Sequence, residues 1–256
     1  MSIWSNVRAF LRYRRKAVSK HGVHSPFVFE LITKTLPPKR GNREHYIAED
    51  WRDACIINSE TIEVTDLGTG TSGPRAISTI AKKAGKAPKQ GRLLYRLVKR
   101  FQPKTILELG TSLGISALYM NQGAPNARFI TIEGCPATAK KAQEQFNKLN
   151  AAIEVRTGHF NVALSSVLEE LKTVDFVYID GNHRKQPTLD YFDQIRKYAH
   201  NDTVFIFDDI HWSLEMEEAW ATICADESIH VTIDVFHFGM AFIRQEQVKE
   251  HFVLRW

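Results

Sequence analysis

The sequence predicts a doubly wound α/β fold with a mostly parallel sheet, an antiparallel C-terminal hairpin and a helical N-terminal extension. From about residue 104 onward, short apolar runs rich in β-forming residues alternate with segments of helical periodicity, which is typical of βαβ units. The last two apolar runs, 229–235 and 237–243, are almost contiguous and should pair as a hairpin. The segment before residue 100 carries mainly helical patterns.

Each predicted element rests on its local pattern of apolar, polar and helix-breaking residues. We expect strands near 104–109, 128–133, 152–156, 174–180 and 203–208. We expect the helices that follow them near 115–121, 136–149, 160–171, 186–199 and 213–225. In the extension, helices are predicted over 1–22, from Ser25–Pro26 to Pro37, and near 45–58, 76–83 and 90–101. Because Pro103 interrupts the chain before the first strand, we place a domain boundary near residue 100, between the extension (1–100) and an α/β core (101–256).

Composition is ordinary for a globular protein, with 256 residues of which 43% are hydrophobic and 25% charged. No apolar run approaches the roughly 18 residues that span a bilayer, so no transmembrane segment is predicted. The three cysteines are far apart and odd in number, which favours neither a zinc site nor a disulfide framework. Reduced thiols and a cytoplasmic location are therefore expected.

The positive charge is concentrated at the N-terminus. Residues 1–45 hold ten Lys or Arg against two Asp or Glu, whereas the remaining residues hold 24 against 27. Trp4, Val7, either Phe10 or Leu11, and Val18 recur at helical spacing among basic residues, which indicates an amphipathic helix. Three interpretations remain open: packing on its own domain or on a partner subunit, as in a homodimer, binding to a membrane surface, or contact with nucleic acid.

The segment from Thr105 to Ser116 is the strongest local signal. An apolar run ends in Glu108 and Leu109, a glycine turn follows, and a helical pattern begins near Ile115. A strand that enters a helix through a tight loop presents backbone N–H groups to an anionic ligand. Glu133 lies 25 residues beyond Glu108, at the end of the next apolar run, where an acid can accept hydrogen bonds from both hydroxyls of a ribose. The glycine spacing differs from the dinucleotide pattern G-x-G-x-x-G.

This motif resembles the nucleotide-binding motifs of class I S-adenosylmethionine-dependent methyltransferases. Over residues 104–243 the resemblance implies a Rossmann-like, seven-stranded sheet and S-adenosylmethionine as cofactor. It implies that the glycines allow close approach of the methionine moiety, that Ser116 binds its carboxylate with the side-chain hydroxyl, and that Glu133 binds the ribose. The cofactor residues implied in this way are Glu108, Gly110, Ser112, Gly114, Ser116, Glu133, Gly134, Gly158, His159 and Phe160.

Two further strands are predicted to end in acidic residues. Asp180 and His183 follow the strand near 174–180, while Asp208 and Asp209 follow the strand near 203–208. Parallel strands place such residues at one edge of the sheet, where several carboxylates would repel one another unless a cation compensated them. Oxygen ligands favour Mg²⁺, Mn²⁺ or Ca²⁺ over zinc. Alternatively, one of the two aspartates caps the following helix.

The acidic pattern resembles that of metal-dependent O-methyltransferases related to the catechol and caffeoyl-CoA enzymes, and more closely the branch that acts on sugars of macrolide antibiotics, whose motif is Asp-Gly-x-His. The resemblance implies that Asp180, Asp208 and Asp209 bind the metal and that Asp180 and His183 are catalytic. Catechol-type enzymes have an amide at the position of Asp209, so the sequence departs from them there. His183 would act as the base that takes the hydroxyl proton, and His211 is the rival candidate.

The resulting prediction is a methyltransferase that acts on a hydroxyl oxygen of a small molecule, with a divalent cation such as Mg²⁺ and with the extension as a substrate lid. Trp212 and Tyr191 are candidates for the acceptor wall, although buried packing is the favoured prediction for either. The glycine-rich stretch at 65–73 lacks a following strand that ends in an acid, so we interpret it as a flexible loop, either a lid beside the site or a simple connection. Two alternatives remain open: an RNA methyltransferase recruited by the basic segment, and a non-catalytic cofactor-binding or adaptor protein.

Overall fold

The computed structural model describes residues 3–37, 46–66 and 71–256, and for residues 3–6 the backbone alone. Within these ranges there are ten α-helices and ten β-strands. The helices are α1 (Ile3–Lys16), α2 (Pro26–Glu30), α3 (Ile47–Ile57), α4 (Ile77–Lys83), α5 (Pro88–Phe101), α6 (Ile115–Gly123), α7 (Pro136–Lys148), α8 (Phe160–Leu171), α9 (Lys185–Ile195) and α10 (Leu214–Ala225). The strands are β1 (Thr61–Val64), β2 (Gly73–Ala76), β3 (Thr105–Leu109), β4 (Arg128–Glu133), β5 (Ile153–Thr157), β6 (Val174–Ile179), β7 (Ala199–Asp208), β8 (Val231–Asp234), β9 (Phe238–Phe242) and β10 (Glu250–Val253).

The predicted fold class is confirmed. Strands and helices alternate from β3 to α10, the strand pairs are mostly parallel, and β8 and β9 form the predicted antiparallel hairpin. The sequence did not reveal the antiparallel pair β1–β2 or the additional strand β10. Of the glycine-rich stretch between β1 and β2, residues 67–70 lie outside the described residues. No helix in the described ranges has both the length and the apolar character needed to cross a bilayer.

The chain divides into two compact units. The terminal unit consists of residues 1–37 and 173–256, and the central unit consists of residues 38–172. The boundary near residue 100, between a helical extension and a catalytic core, concerns the division of function and stays a prediction.

The terminal unit contains the strands β10, β8, β9, β7 and β6, in that order across the sheet. Strands β6 and β7 are parallel, and β9 is antiparallel to both of its neighbours. All five residues of β9 are buried, as expected for a strand covered on both faces. Ile179 is opposite Phe207 in the parallel pair, so Asp180 and Asp208 follow at the same sheet edge.

Helix α1 packs on the terminal unit through one stripe of small and aromatic residues. Ala9 and Tyr13 are buried one turn apart, and Ala17 continues the stripe beyond the helix. The Tyr13 hydroxyl donates a hydrogen bond to the carbonyl of Leu254, and Val18 forms a parallel bridge with the same residue. Helix α1 is therefore attached to its own unit, as the first of the three interpretations of this segment expects.

The central unit contains the parallel strands β3, β4 and β5, and β4 pairs with both of the others. Four of the five residues of β3 are buried, which explains its nearly continuous apolar sequence. Helices α5 and α6 pack closely because α5 contributes Gly91 at the contact: a Cβ atom there would lie 2.0 Å from Cε2 of Tyr119. The ends of β3, β4 and β5 carry the predicted cofactor residues.

Candidate active site

The glycine loop between β3 and α6 has an unusual backbone. Gly110, Ser112 and Gly114 have φ angles of 101°, 49° and 76°, a region that side chains disfavour. At Gly114 a Cβ atom would also lie 2.5 Å from Cζ of Phe146. The Gly114 N–H donates to the carbonyl of Thr111 at 2.8 Å, which closes the turn. Only glycine therefore fits at Gly114, immediately before helix α6.

Glu133, at the end of β4, is tied to this loop. Its Oε2 accepts the Ser112 N–H at 2.6 Å and its Oε1 accepts the Cys135 N–H at 2.8 Å. Burial raises the pKa of the Glu133 carboxyl above its ordinary value, although the N–H donors of Cys135 and Ser112 act in the opposite direction. Each carboxylate oxygen has two acceptor sites, so Glu133 retains capacity for hydroxyl donors.

Glu108 is held in a buried hydrogen-bond network below the loop. The Ser116 hydroxyl donates to its Oε1 at 2.5 Å, and the Thr131 hydroxyl donates to its Oε2 at 2.6 Å. Thr111 extends the network, since its hydroxyl lies 2.6 Å from that of Thr131. Glu108 is fully buried. This arrangement suits a role in fixing the start of α6, whereas the direct cofactor contact stays a prediction.

Trp51 is a residue of this site that the sequence analysis missed. It belongs to α3, and its indole N–H donates to the carbonyl of Leu113 at 2.7 Å. Leu113 precedes the last glycine of the loop, so α3 holds the loop from a second side. No local pattern around Trp51 indicates this hydrogen bond, because the two residues are 62 positions apart.

The remaining predicted cofactor residues lie near the end of β5. The Gly158 N–H donates to the carbonyl of Glu133 at 2.9 Å, so the segment after β5 is joined to the end of β4, beside Gly134. His159 is exposed and precedes α8, and Phe160 is partly buried at its first position. The predicted cofactor residues of the central unit thus lie at the carboxyl ends of three paired parallel strands.

A cluster of potential metal ligands lies at the carboxyl ends of β6 and β7. Asp180, His183 and Asp208 each offer one ligand atom, and these atoms all lie within 4.8 Å of one another. Nε2 of His183 is 3.6 Å from Oδ1 of Asp180. Two ligands of one Mg²⁺ or Ca²⁺ ion are separated by at most about 4 to 5 Å, twice the metal–oxygen distance. The three side chains therefore fit a single divalent cation.

The loops that carry these residues have positive φ angles, which cluster at functional sites. Asn182, His183 and Asp209 have φ angles of 67°, 28° and 51°; Asn and Asp tolerate the left-handed region, and the value at His183 lies outside it. Asp209, the third predicted metal ligand, is not a member of the cluster. Its N–H donates to the carbonyl of His237, and its carbonyl accepts the Trp212 N–H, both at 2.8 Å. His183 takes the third place in the cluster.

The hydroxyl groups of two buried tyrosines support the segment that carries Asp180 and His183. The hydroxyl of Tyr178, which is fully buried in β6, donates to Oδ2 of Asp180 at 3.0 Å. The amide Nδ2 of Asn182 is 3.2 Å from the hydroxyl of Tyr191, and burial raises the pKa of that tyrosine. Tyr191 is 3% exposed. It therefore supports the loop from the interior and does not form the acceptor wall for which it was a candidate.

His211, the rival base, is fixed in an ion network. Its Nε2 is 2.9 Å from Oδ2 of Asp234, and its Nδ1 is 3.0 Å from Oε1 of Glu217, which also binds Arg12. Its ring stacks on Phe236 with centroids 5.2 Å apart. Burial acts to lower the pKa of His211, but hydrogen bonds and charges from Asp234 and Glu217 outweigh it, so the pKa is raised. Both ring nitrogens are engaged, which favours a structural role.

The network predicts a pH-dependent stability. Because the folded-state pKa of His211 is raised, its stabilisation is complete below the unfolded-state pKa of about 6.5 and is lost as the pH rises through the folded-state value. We expect His211→Gln to lower the free energy of unfolding by about 2 kcal/mol at acidic pH, with a smaller difference at alkaline pH. Urea denaturation across this range measures it, with exposed His21→Gln as control. A difference that grows with pH would contradict the assignment.

A protein-family model described as a methyltransferase domain matches residues 107–210. This span contains the glycine loop, Glu133 and the cluster of Asp180, His183 and Asp208. The fold and this match define the class of protein, a methyltransferase.

Individual relatives narrow the class. A catechol O-methyltransferase from Niastella koreensis is 33% identical over 171 residues, which are 65% of this chain and 72% of that protein. An O-methyltransferase from Bacillus cereus, solved in complex with SAH, is 25% identical and covers 61% of this chain and 81% of its own, with a TM-score of 0.53. An SAH-bound methyltransferase from Podospora anserina is 16% identical and shows the same fold, covering 84% of this chain and 100% of its own with a TM-score of 0.56. The chain belongs to the class I S-adenosylmethionine-dependent O-methyltransferases.

Proposed function

We propose that the protein transfers the methyl group of S-adenosylmethionine to a hydroxyl oxygen of a small molecule, with the assistance of a divalent cation. The observation that supports the cation is the cluster of Asp180, His183 and Asp208, whose ligand atoms lie within 4.8 Å of one another. Such a reaction needs a bound methyl donor and an acidified acceptor hydroxyl, and the two units supply residues for one task each.

The central unit would bind the donor. Glu133 would accept hydrogen bonds from the ribose hydroxyls while the Ser112 and Cys135 N–H groups hold its carboxylate in place. Gly110 and Gly114 would let the backbone approach the methionine moiety, because neither carries a Cβ atom. Ser116, at the start of α6, would bind the methionine carboxylate through its backbone N–H, since its hydroxyl already donates to Glu108.

The terminal unit would act on the acceptor. Asp180 and Asp208 would hold the cation, which would supply a Lewis acid that lowers the pKa of the acceptor hydroxyl. His183 either completes the ligand set or takes the hydroxyl proton at neutral pH. A nitrogen ligand would widen the choice of metal from Mg²⁺ towards Mn²⁺, Fe²⁺ or Zn²⁺, so metal preference distinguishes the two roles.

The acceptor we propose is a small molecule with two adjacent hydroxyl groups. The relative from Niastella koreensis is named a catechol O-methyltransferase, and a planar diol suits an aromatic wall. Trp212 offers one, because its side chain is 43% exposed and its ring centroid lies 6.5 Å from that of His183. An indole face beside the base would orient a ring that carries the reacting hydroxyl.

The alternatives receive less support. Methylation of RNA would need an RNA-binding surface next to the reacting groups, and the relative from Niastella koreensis is named for a small molecule, catechol. A non-catalytic adaptor does not agree with membership of an enzyme family.

Cys55, Cys135 and Cys224 form no disulfide, which supports the proposed cytoplasmic location.

Calorimetry and turnover test the proposal together. S-adenosylhomocysteine should bind with micromolar affinity with or without Mg²⁺, and NAD⁺, the control, should not bind. With S-adenosylmethionine, catechol should then be methylated once, phenol should not, and a chelator should abolish the reaction. Binding without methylation of any diol in the presence of Mg²⁺ or Mn²⁺, or methylation of RNA instead, would refute the proposed acceptor. Absence of binding would refute the cofactor site.

A further inference from the structure

The N-terminal helix has a second apolar face that the fold leaves uncovered. Its first face, with Ala9 and Tyr13, is buried. On the opposite side, Val7 is 43% exposed and Leu11 52%, whereas Phe10, 44% exposed, packs edge-on against the ring of Phe236. Val7 and Leu11 are one turn apart, so they point in the same direction. We call Val7, Leu11 and the surrounding basic residues of α1 the basic–apolar face.

The charge of this face has a single sign. The chain has six Lys or Arg and no Asp or Glu before Glu30. One of them, Arg12, forms a bidentate ion pair with Glu217. Among the described residues, the other five form no ion pair and are exposed: Arg8, Arg14, Arg15 and Lys16 of α1, and Lys20 shortly beyond the helix. The face therefore combines unscreened positive charge with exposed apolar side chains.

The face is presented on a fixed support. Arg12 is held by Glu217, and the Tyr13 hydroxyl donates to the carbonyl of Leu254. Just beyond the helix, the Val18 N–H donates to the carbonyl of Val253 at 2.8 Å. Because these contacts fix α1 in the folded protein, a partner would meet a preformed surface and no ordering cost would reduce its affinity.

We propose that the basic–apolar face docks the protein on an anionic phospholipid membrane. A helix with this composition lies in the interface, with its apolar side chains between the acyl chains and its basic side chains at the headgroups. Each Lys or Arg near an anionic surface adds to the attraction, and the apolar side chains add the hydrophobic part. The electrostatic attraction matches the basic side chains of the face, and the hydrophobic part matches its apolar side chains.

Two other partners would each match only one property of the basic–apolar face, either its positive charge or its apolar side chains. A nucleic acid satisfies the positive charge, but Val7 and Leu11 can neither stack on bases nor form hydrogen bonds. A second copy of the chain, as in the predicted homodimer through the N-terminal helices, covers the apolar side chains, but it brings two sets of like charges together. An anionic membrane satisfies both components without such repulsion.

Co-sedimentation of the full chain with vesicles tests the proposal. We expect binding to vesicles of phosphatidylglycerol and phosphatidylcholine, weak or no binding to phosphatidylcholine alone, and loss of binding as salt is raised. In the double variant Arg14→Glu/Arg15→Glu, the partition coefficient should fall by about tenfold or more. The matched control is Lys82→Glu/Lys83→Glu on α4, an exposed basic pair elsewhere, which should bind nearly as the wild type does.

A second variant separates the apolar part. Leu11→Ser should also weaken binding, whereas Ile57→Ser, at a residue 85% exposed on another helix, should not. An unchanged circular dichroism spectrum and an unchanged Tm show that each variant is folded. Equal binding to neutral vesicles, no binding to either vesicle, or equal binding by the Arg14→Glu/Arg15→Glu variant would overturn the proposal. So would a dimer that Leu11→Ser dissociates, or competition in which RNA binds the face in preference to vesicles.

Discussion

Substitution of Glu133 by glutamine is expected to weaken the binding of S-adenosylhomocysteine by roughly 100-fold. Two hydrogen bonds from ribose hydroxyls to a carboxylate contribute at least about 1.5 kcal/mol each, and 1.4 kcal/mol corresponds to a factor of ten. The amide would also place an NH₂ group against one of the N–H donors, Ser112 or Cys135, that now hold the carboxylate. Titration calorimetry measures the loss.

The pH dependence of binding adds an independent readout for Glu133. Burial raises the pKa of its carboxyl. As the pH is lowered, the ionised carboxylate that accepts the hydroxyls should therefore be lost, and the wild-type affinity for S-adenosylhomocysteine should begin to fall, at a higher pH than for a carboxyl of ordinary pKa. The glutamine variant should not show this fall. Glu169→Gln, at an exposed position of α8, serves as the control and should behave as the wild type does. Unchanged affinity in Glu133→Gln would show that the glycine loop does not bind the cofactor.

Asp180→Asn should have the opposite effect to Glu133→Gln: turnover should be lost, and the affinity for the cofactor should be retained. We expect at least about a 100-fold decrease in kcat, because the assistance of a bound cation is worth several kcal/mol, and a change in S-adenosylhomocysteine affinity of less than about twofold. Asp180 belongs to the terminal unit, whereas the predicted cofactor residues belong to the central unit, so the two properties should separate. Asp190→Asn, at an exposed position of α9, is the matched control.

Direct titration with Mn²⁺ tests the ligand set independently of activity. Asp180→Asn and Asp208→Asn should each weaken Mn²⁺ binding strongly, because both side chains belong to the cluster. Asp209→Asn should have a much smaller effect, and asparagine tolerates its positive φ angle of 51°. An equally strong loss with Asp209→Asn would restore the ligand set inferred from the sequence, and equal Mn²⁺ binding by all variants would exclude a metal at this cluster.

The main elements of the fold could be predicted because their signals are local. Strand β3 and helix α6 are separated by glycines, and each buried strand is a continuous apolar run that ends at an acid or a turn. Strand β10 gave no such signal: its four residues include Glu250 and His251, and it exists because it pairs with β8. Helix α1 ends at Lys16, earlier than predicted, because Val18 bridges to Leu254.

The candidate site shows the same division between local and tertiary information. The proximity of Asp180 and Asp208 could be predicted from the sequence, since both lie at the carboxyl ends of parallel strands, and these strands are neighbours in the sheet. Asp209 is not a member of the cluster, and its backbone has a positive φ angle that no local sequence pattern indicates. The structural role of His211 depends on Asp234 and Glu217, which belong to other elements.

The hydrogen bond from Trp51 to Leu113 has a thermodynamic consequence. It joins α3 to the turn that would close around the methionine end of the cofactor. If ligand binding favours the turn conformation in which this bond is made, then by reciprocity an intact α3 must favour ligand binding to the same degree. The stability of a helix far along the chain from the binding motif thereby becomes part of the affinity for the cofactor. Local opening of α3 would lower that affinity even with every contacting residue unchanged.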